Sequence, residues 1–488
     1  MFIESVFNLL PNSDKKEFIQ FLDRKKRKAN RKDIDVCNAL MNGKEPKFEI
    51  ANNYHAIRNR IKKDLIKFMS LKQMDNDITE TSELINEIGL CRFLLENKLT
   101  KIAWGYLIKV ENKAIKSKNY LALNNLYTLM LEYASSEFAY EVSEILEKKK
   151  EAKDFIEFEE EFLIHLALAK NKLYNLKTSL SSDTKSASIK DLKRLLKKYE
   201  EHIYEHPKQV CNYLETLRNT YLLARDLSSI EDIALRLYNN TNKAAGFTKN
   251  THQYKLRMLY IVCHSLYRNK KFKECLQYLN EFKTSIAQYN QSQFDYYYSK
   301  IAAFKSAIHF ITGNLGEAIL TIEKFFENNP KTSVKDNLNL HLSLITFYAY
   351  NNEYRKANRI FINFHHTDKW CEKKMGKEWV IRKNLIEMLI QYEMGKDDIA
   401  LNRINSIIKS SKELFKLNQY QDVAGYLILF KKYIEDQTSV TITDLENAIS
   451  AQKGDNLDEE VKKISFYCWF KARVSNKDFY KTLMEQLG

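Results

Sequence analysis

Apolar residues recur at spacings of three and four along most of the chain, the period of a helix that buries one face. Residues 54–71 show it plainly. Ile57, Ile61, Leu65 and Phe68 share one side, while Arg58, Arg60, Lys62, Lys63 and Lys67 fall largely on the other. Upstream, residues 2–10 are apolar at Phe2, Ile3, Val6, Phe7 and Leu10, and Pro11 stops the run. Asp14 with Glu17 three residues later marks a second helix start, followed by Phe18, Ile19, Phe21 and Leu22 as its buried side. Residues 34–41 form a short helix ended by Gly43. Downstream, 84–95 with 98–118, and 121–133 with 136–150, read as two helical hairpins. Towards the carboxyl end come helices near 420–434 and 443–451, a turn at Gly454, and a final aromatic-rich pair within 466–486.

Between these lies a repeated frame. In residues 302–330 one helix ends at Thr312-Gly313-Asn314, and Ala318 is a small residue early in the next. Ile322 and Phe325 follow, and Pro330 terminates the segment. With the small position at Cys275, Ala318, Ala357 and Ala400, the position four residues on reads Leu279, Ile322, Phe361 and Ile404. Seven residues on stand Phe282, Phe325, Phe364 and Ile407, and three before stand Phe272, Leu315, Tyr354 and the departing Asp397. The preceding turns are Asn269-Lys270, Thr312-Gly313, Asn351-Asn352 and Met394-Gly395. A fainter copy has Ile230, Ile233 and Leu237 in the corresponding places. The pattern resembles the tetratricopeptide repeat, in which a small residue lets the second helix pack close against the first. The copies are 43, 39 and 43 residues apart, longer than the usual 34, which implies longer helices or connections. Head and tail together are similar to helical-repeat proteins of Bacteroidetes-type bacteria, a likeness that implies no function.

Two polar stretches, 177–188 and 239–251, read as loops. The first leads into a basic helix carrying Lys190, Lys193, Arg194, Lys197 and Lys198, which Pro207 ends.

Composition narrows the fold class. Eleven Gly and four Pro in 488 residues leave too few of the residues that tight turns use, which argues against sandwiches, barrels and propellers. The expected class is all-α. The 78 Lys and Arg exceed the 63 Asp and Glu, a formal charge of +15, which favours acidic partners or simple solubility. Residues 1–72 hold 17 of these cations against nine carboxylates. The seven cysteines (37, 91, 211, 263, 275, 371 and 468) are scattered without any CxxC and read as reduced core residues. Glu4 interrupts the first apolar run, so no secretory signal is expected. No stretch has the length to span a membrane, and the expected location is cytoplasmic.

Candidate chemistry is sparse. His202-Ile203-Tyr204-Glu205-His206 matches HxxEH, the inverted zinc-peptidase string, in which two His one helical turn apart share a metal. Pro207 follows the second His directly, no third ligand is identifiable, and the composition disfavours that peptidase fold. His365, His366 and Cys371, with Trp370 between them, lack a fourth ligand at defined spacing and read as a loop joining two repeats. The acidic run Glu157 to Phe162 reads as a solvated stripe. There is no GxxxxGK[ST], GxSxG or HExxH. Neither metal nor cofactor is expected.

These readings give three expected parts: a basic helical head (1–76), a tetratricopeptide-like helical-hairpin solenoid (77–412) and a helical carboxyl-terminal cap over its open end (413–488). The resemblance implies a non-enzymatic adaptor or scaffold, a subunit of a larger assembly, that holds a peptide or helix of a protein partner. First helices of the repeats would line the groove near Tyr296, Tyr297, Ser306, His309, Ile345 and Tyr348. One alternative is a ribosome- or RNA-associated factor gripping phosphate through Arg24, Lys25, Lys26, Arg27, Lys28, Arg31 and Lys32. The other is a peptide-sensing regulator, resembling bacterial proteins in which a small helical head precedes a tetratricopeptide stack.

Overall fold

The computed structural model describes residues 3, 6–7, 10, 12–25, 32–41, 51–76, 80–178, 182–200, 203–224, 227–249, 251–289, 294–328, 332–363, 366–416, 420–448 and 457–487. Among them all regular structure is helical, as expected for an all-α chain, and no helix is long and apolar enough to cross a membrane. The chain forms two compact units, Met1–Glu161 and Phe162–Gly488, where the sequence suggests boundaries near 76 and 412. The first unit holds α1 (Asn12–Lys25), α2 (Lys32–Met41), α3 (Ala51–Asn76), α4 (Glu80–Glu96), α5 (Thr100–Lys116), α6 (Tyr120–Glu132) and the start of α7 (Val142–Thr178).

The second unit continues from α7 with α8 (Ser182–Lys197), α9 (Pro207–Leu223) and α10 (Glu231–Ala244). Next come α11 (His252–Arg268), α12 (Phe272–Ala287), α13 (Tyr297–Ile311), α14 (Leu315–Glu327), α15 (Val334–Tyr350) and α16 (Tyr354–Ile362). It ends with α17 (Asp368–Met375), α18 (Lys377–Glu393), α19 (Asp397–Ser410), α20 (Gln421–Glu435), α21 (Ile442–Ala448), α22 (Leu457–Val474) and α23 (Phe479–Leu487).

Residues 3–68 of the first unit have a core of their own. Ile3, Phe7, Phe18 and Leu22 meet Val36 and Cys37 of α2 and Ile57, Ile61, Leu65 and Phe68 of α3. The periodicity of residues 54–71 is therefore expressed literally. A second cluster fastens α4, α5 and α6 around Trp104, Leu107, Leu126 and Met130. Within it Glu111, 3% exposed, accepts from Tyr127 Oη at 3.0 Å and Tyr140 Oη at 3.3 Å, and pairs with Lys148 Nζ at 3.1 Å. Three partners compensate a carboxylate that burial alone would penalise heavily.

Seven hairpins turn by one device. A residue in the left-handed region follows the first helix, and the next N–H bonds to the carbonyl five residues back, closing a Schellman motif. The left-handed residues are Lys98, Lys118, Lys270, Gly313, Asn352, Gly395 and Asn476, with φ from 50° to 83°. The closing bonds, Leu99 to Leu94, Asn119 to Ala114, Lys271 to Leu266, Asn314 to His309, Glu353 to Tyr348, Lys396 to Gln391 and Lys477 to Ala472, span 2.8–3.0 Å. Only two of the seven positions use glycine. The scarcity of glycine thus coexists with abundant turning, because Lys and Asn occupy the strained place.

Five residues beyond the turn comes the small position of the repeat. Cys275, Ala318, Ala357 and Ala400 are each fully enclosed. Leu279, Ile322 and Ile404 one turn on are buried, as are Phe282, Phe325 and Ile407 beyond them. Phe361 is half-buried, and Phe364 lies outside the described residues. The frame also fits the α4–α5 hairpin, with Ala103, Leu107 and Val110 all buried. The fainter copy is shifted by one residue. Ile233 is half-buried, and its neighbour Ala234 is the enclosed small residue, followed by Tyr238.

Several local expectations change. Helix α7 runs to Thr178 and α8 begins at Ser182, so most of 177–188 is helical. Ser182 and Asp183 are residues that start helices as readily as they populate loops. Helix α10 likewise continues to Ala244, inside the expected loop at 239–251, and Gly246 (φ 66°) comes only after it. Pro207 opens α9 and does not close α8; at a first helical position proline's missing N–H costs nothing. Residues 368–375 between two hairpins form the helix α17, capped by Thr367, where a loop is expected.

The carboxyl-terminal pair is where the cap expectation meets its largest difference. Instead of contacting only the last hairpin, α22 and α23 reach back across α18, α15 and α13. Trp469 Nε1 donates to Glu393 at 2.8 Å, and the Phe479 ring lies 4.6 Å from that of Tyr350. Tyr480 Oη donates to the Phe310 carbonyl at 2.8 Å. Tyr392 of α18, Tyr426, Phe430 and Tyr433 of α20, and Trp469 and Phe470 of α22 form a continuous aromatic cluster where the three helices meet.

Candidate functional site

The first helices of the later hairpins are enclosed to a degree that amphipathic spacing does not foretell. In α15 the seven consecutive residues 344–350 are all buried, a pattern that belongs to a helix flanked on every side. Neighbouring helices of the stack enclose it, and Phe479 of the carboxyl-terminal pair packs on its last residue, Tyr350. This decides the fate of the expected groove residues. Tyr297 is buried against Phe282, with ring centroids 5.1 Å apart, and Ser306 turns back to the Ala303 carbonyl at 3.1 Å. Ile345 is 1% exposed, and Tyr348 is buried with its hydroxyl on Glu323. Only Tyr296, at 40% exposure, and the half-buried His309 remain accessible. Burial, with Lys305 nearby, holds His309 below the usual histidine range.

An accessible concavity lies elsewhere, among α8, α9 and α10. Helix α8 buries Ile189, Leu192 and Leu196, so Lys190, Arg194 and Lys197 are turned outward. Pro207 then starts α9, which presents Tyr213, Leu217 and Tyr221 at one-turn spacing, and α10 supplies Ile233, Arg236, Leu237 and Asn240. Together with Tyr204 these line an open groove of about 1060 Å³. Five cations (Lys190, Lys193, Arg194, Lys197 and Arg236) line it against two carboxylates, Asp191 and Glu200.

Each wall is braced. Arg236 pairs with Glu200, which also faces Tyr213 Oη at 3.5 Å. Lys193 Nζ stands 3.9 Å above the Tyr221 ring, a cation–π contact that holds the amine over the groove wall. Asp191 lies between Lys172 at 3.9 Å and Arg194 at 4.0 Å. Burial pushes the Tyr213 phenol up, so it stays a neutral donor. The arrangement has a positive rim, with Ile233 and Tyr204 part-exposed in its lining and Leu217 and Leu237 buried beneath them. It suits a ligand with the opposite pattern.

The other sequence candidates separate. His206 precedes α9 as its capping residue, and Ile203 to His206 form a turn and not a helix. The HxxEH string therefore lacks the one-face geometry it needs, and His202 lies outside the described residues. His366 stacks on Trp370 at 3.8 Å, whereas Cys371 is buried in α17; His365 lies outside the described residues. Among the described residues no three His, Cys, Asp or Glu gather as metal ligands. All seven cysteines are free and buried. Burial lifts the thiols of Cys37, Cys211 and Cys468 to about 12. In the acidic run of α7, Glu157, Glu160 and Glu161 are exposed, and Phe158 and Glu159 are half-buried. In the head, Arg24 and Lys32 are exposed; the Lys25 side chain and Lys26, Arg27, Lys28 and Arg31 lie outside the described residues.

No family model, curated protein or solved structure matches this chain. The basic face of α8 is visible in the sequence as cations at spacings of three and four opposite leucines. Its convergence with Tyr204, Tyr213, Tyr221 and Arg236 depends on how three helices pack, and no spacing in the sequence encodes that.

Proposed function

We propose that this chain is a tetratricopeptide-like solenoid acting as a non-enzymatic adaptor, and that it holds a protein partner in the groove of α8, α9 and α10. One observation carries the reading. Most of the expected groove residues on the later first helices are buried, while the groove of α8, α9 and α10 is open with a charged rim. Paired helices repeated along a chain serve chiefly to build such surfaces. Function is argued here from the site, because helical repeats as a fold specify no activity.

A tagged full-length chain, recovered from its native cell with and without RNase, tests the reading. A defined partner should survive RNase and moderate salt, then bind the purified chain directly. Loss of every partner on RNase treatment would overturn the reading in favour of an RNA-associated factor.

A further inference from the structure

We infer that the groove of α8, α9 and α10 receives an acidic amphipathic helix of about two turns, its carboxylates on the lysine ladder of α8 and its apolar face against Ile233 and the Tyr204 ring. The inference deepens the adaptor reading and rests on it.

Length comes first. Lys190, Lys193, Arg194 and Lys197 recur at three and four residues, so the ladder follows one face of α8 for about 10 Å at 1.5 Å per residue. Two turns of a helix about 10 Å wide occupy roughly 850 Å³, which an open groove of about 1060 Å³ has room for. Periodicity agrees with length. Asp or Glu at i, i+3 or i+4, and i+7 repeats with the same pitch, so each carboxylate meets a cation without distortion of either helix.

The lining decides between polyanions. Bases of single-stranded nucleic acid bind by stacking on aromatic faces. Tyr213 is 1% exposed and Tyr221 is 8% exposed with Lys193 over its ring, which leaves Tyr204 as the accessible aromatic. A single ring is one stacking platform at most, whereas the part-exposed Ile233 beside it offers an apolar contact to one face of a helix. The braced Arg236–Glu200 pair closes one side, so the entering helix meets its excess of positive charge on the α8 wall.

The test uses the full chain and a display library of 14-residue helix-forming peptides, selected at low salt. Enriched sequences should carry Asp or Glu at i, i+3/i+4 and i+7 opposite Leu or Ile. Their binding should weaken at least tenfold in a Lys190→Glu/Lys197→Glu variant, and again on raising salt from 50 to 500 mM. A Lys190→Gln/Lys197→Gln variant, with its helical circular dichroism checked, should show a smaller loss in the same direction. Enriched peptides that lack acidic residues, or that bind both variants like the parent, would overturn the inference. So would a fifteen-nucleotide oligothymidylate that binds more tightly than any selected peptide and is lost in the variants. Cellular partner capture that survives both variants would sink this groove assignment alone; absence of any direct protein partner would sink the adaptor reading itself.

Discussion

Tyr480 donates its hydroxyl to the main-chain carbonyl of Phe310 at 2.8 Å, across 170 residues of sequence. Every other feature of the carboxyl-terminal pair supports that reach. Trp469 and Arg473 both meet Glu393, which Arg473 Nε approaches to 2.6 Å. Burial of that carboxylate raises its pKa in spite of the nearby arginine and the hydrogen bonds it accepts. The pair works as a clasp across α13, α15 and α18.

Removing parts of the clasp should therefore destabilise helices far from it. Tyr480→Phe deletes one hydrogen bond and should cost about 1 kcal/mol. Trp469→Ala empties a fully buried ring site and should cost about 3–5 kcal/mol. Urea denaturation measures both, and hydrogen exchange should show faster opening in α13 and α15 for Trp469→Ala. Unchanged exchange there would mean that the contacts are incidental.

The left-handed turns offer the opposite experiment. A side chain at φ near 60° costs about 1–2 kcal/mol relative to its preferred conformation, a strain that Lys98, Lys118 and Lys270 carry. Lys270→Gly should stabilise the chain, by about 0.5–1 kcal/mol once the greater freedom of glycine in the unfolded state is counted. Lys270→Val, branched at Cβ, should destabilise it. A rise in the denaturation midpoint for glycine and a fall for valine is the expected pair of results.

At the small position of the repeat, size itself is the requirement. Ala357 is fully enclosed between paired helices. Ala357→Leu should cost about 1–3 kcal/mol through overpacking. Ala303→Leu, on an exposed face of α13, should change stability by less than about 0.5 kcal/mol. Equal effects at both sites would refute the close approach of α15 and α16.

Acid sensitivity has a specific source in His264. Its ring lies between the guanidinium groups of Arg218 and Arg268, with Nε atoms at 3.2 and 3.4 Å. Burial, and then those two positive charges, hold it well below the usual histidine range. In the unfolded chain it takes up a proton near pH 6.5. Its contribution is therefore intact above that value and is lost as pH falls towards the folded pKa, by up to about 1.4 kcal/mol per pH unit. His264→Gln should flatten the dependence of stability on pH between 7 and 5; a slope unchanged from the parent would exclude this residue as its source.

Thiol chemistry provides a cheap check on the packing. With seven buried free cysteines, Ellman's reagent should react slowly with the native chain and rapidly with seven thiols in denaturant. Immediate reaction of Cys263 or Cys275 in the native state would contradict the enclosure of the α11–α12 hairpin.

What the sequence made legible follows from range. Local signals were readable: the buried faces of α1 and α3, the small residues at 318, 357 and 400, and the turns before them. The α4–α5 copy around Ala103 was also within reach, since Asn97-Lys98 repeats the Asn269-Lys270 turn. Proline at 207 was ambiguous, because the same residue stops one helix and starts another. Nothing local distinguished Tyr297 and Tyr348, which are enclosed, from Tyr296, which is not. Their exposure depends on how neighbouring helices pack: Phe282 covers Tyr297, and Glu323 takes the Tyr348 hydroxyl.

The clasp also imposes an order of events. Each hairpin closes on partners a few residues apart, so it forms as soon as its own residues are available. Residues 457–487, in contrast, are translated after all the helices they fasten. A nascent chain therefore carries Phe310, Tyr350 and Glu393 uncovered for the whole interval between their synthesis and that of Tyr480. During that interval the growing protein presents an aromatic seam to chaperones and to other nascent chains, and arrival of the last two helices withdraws it.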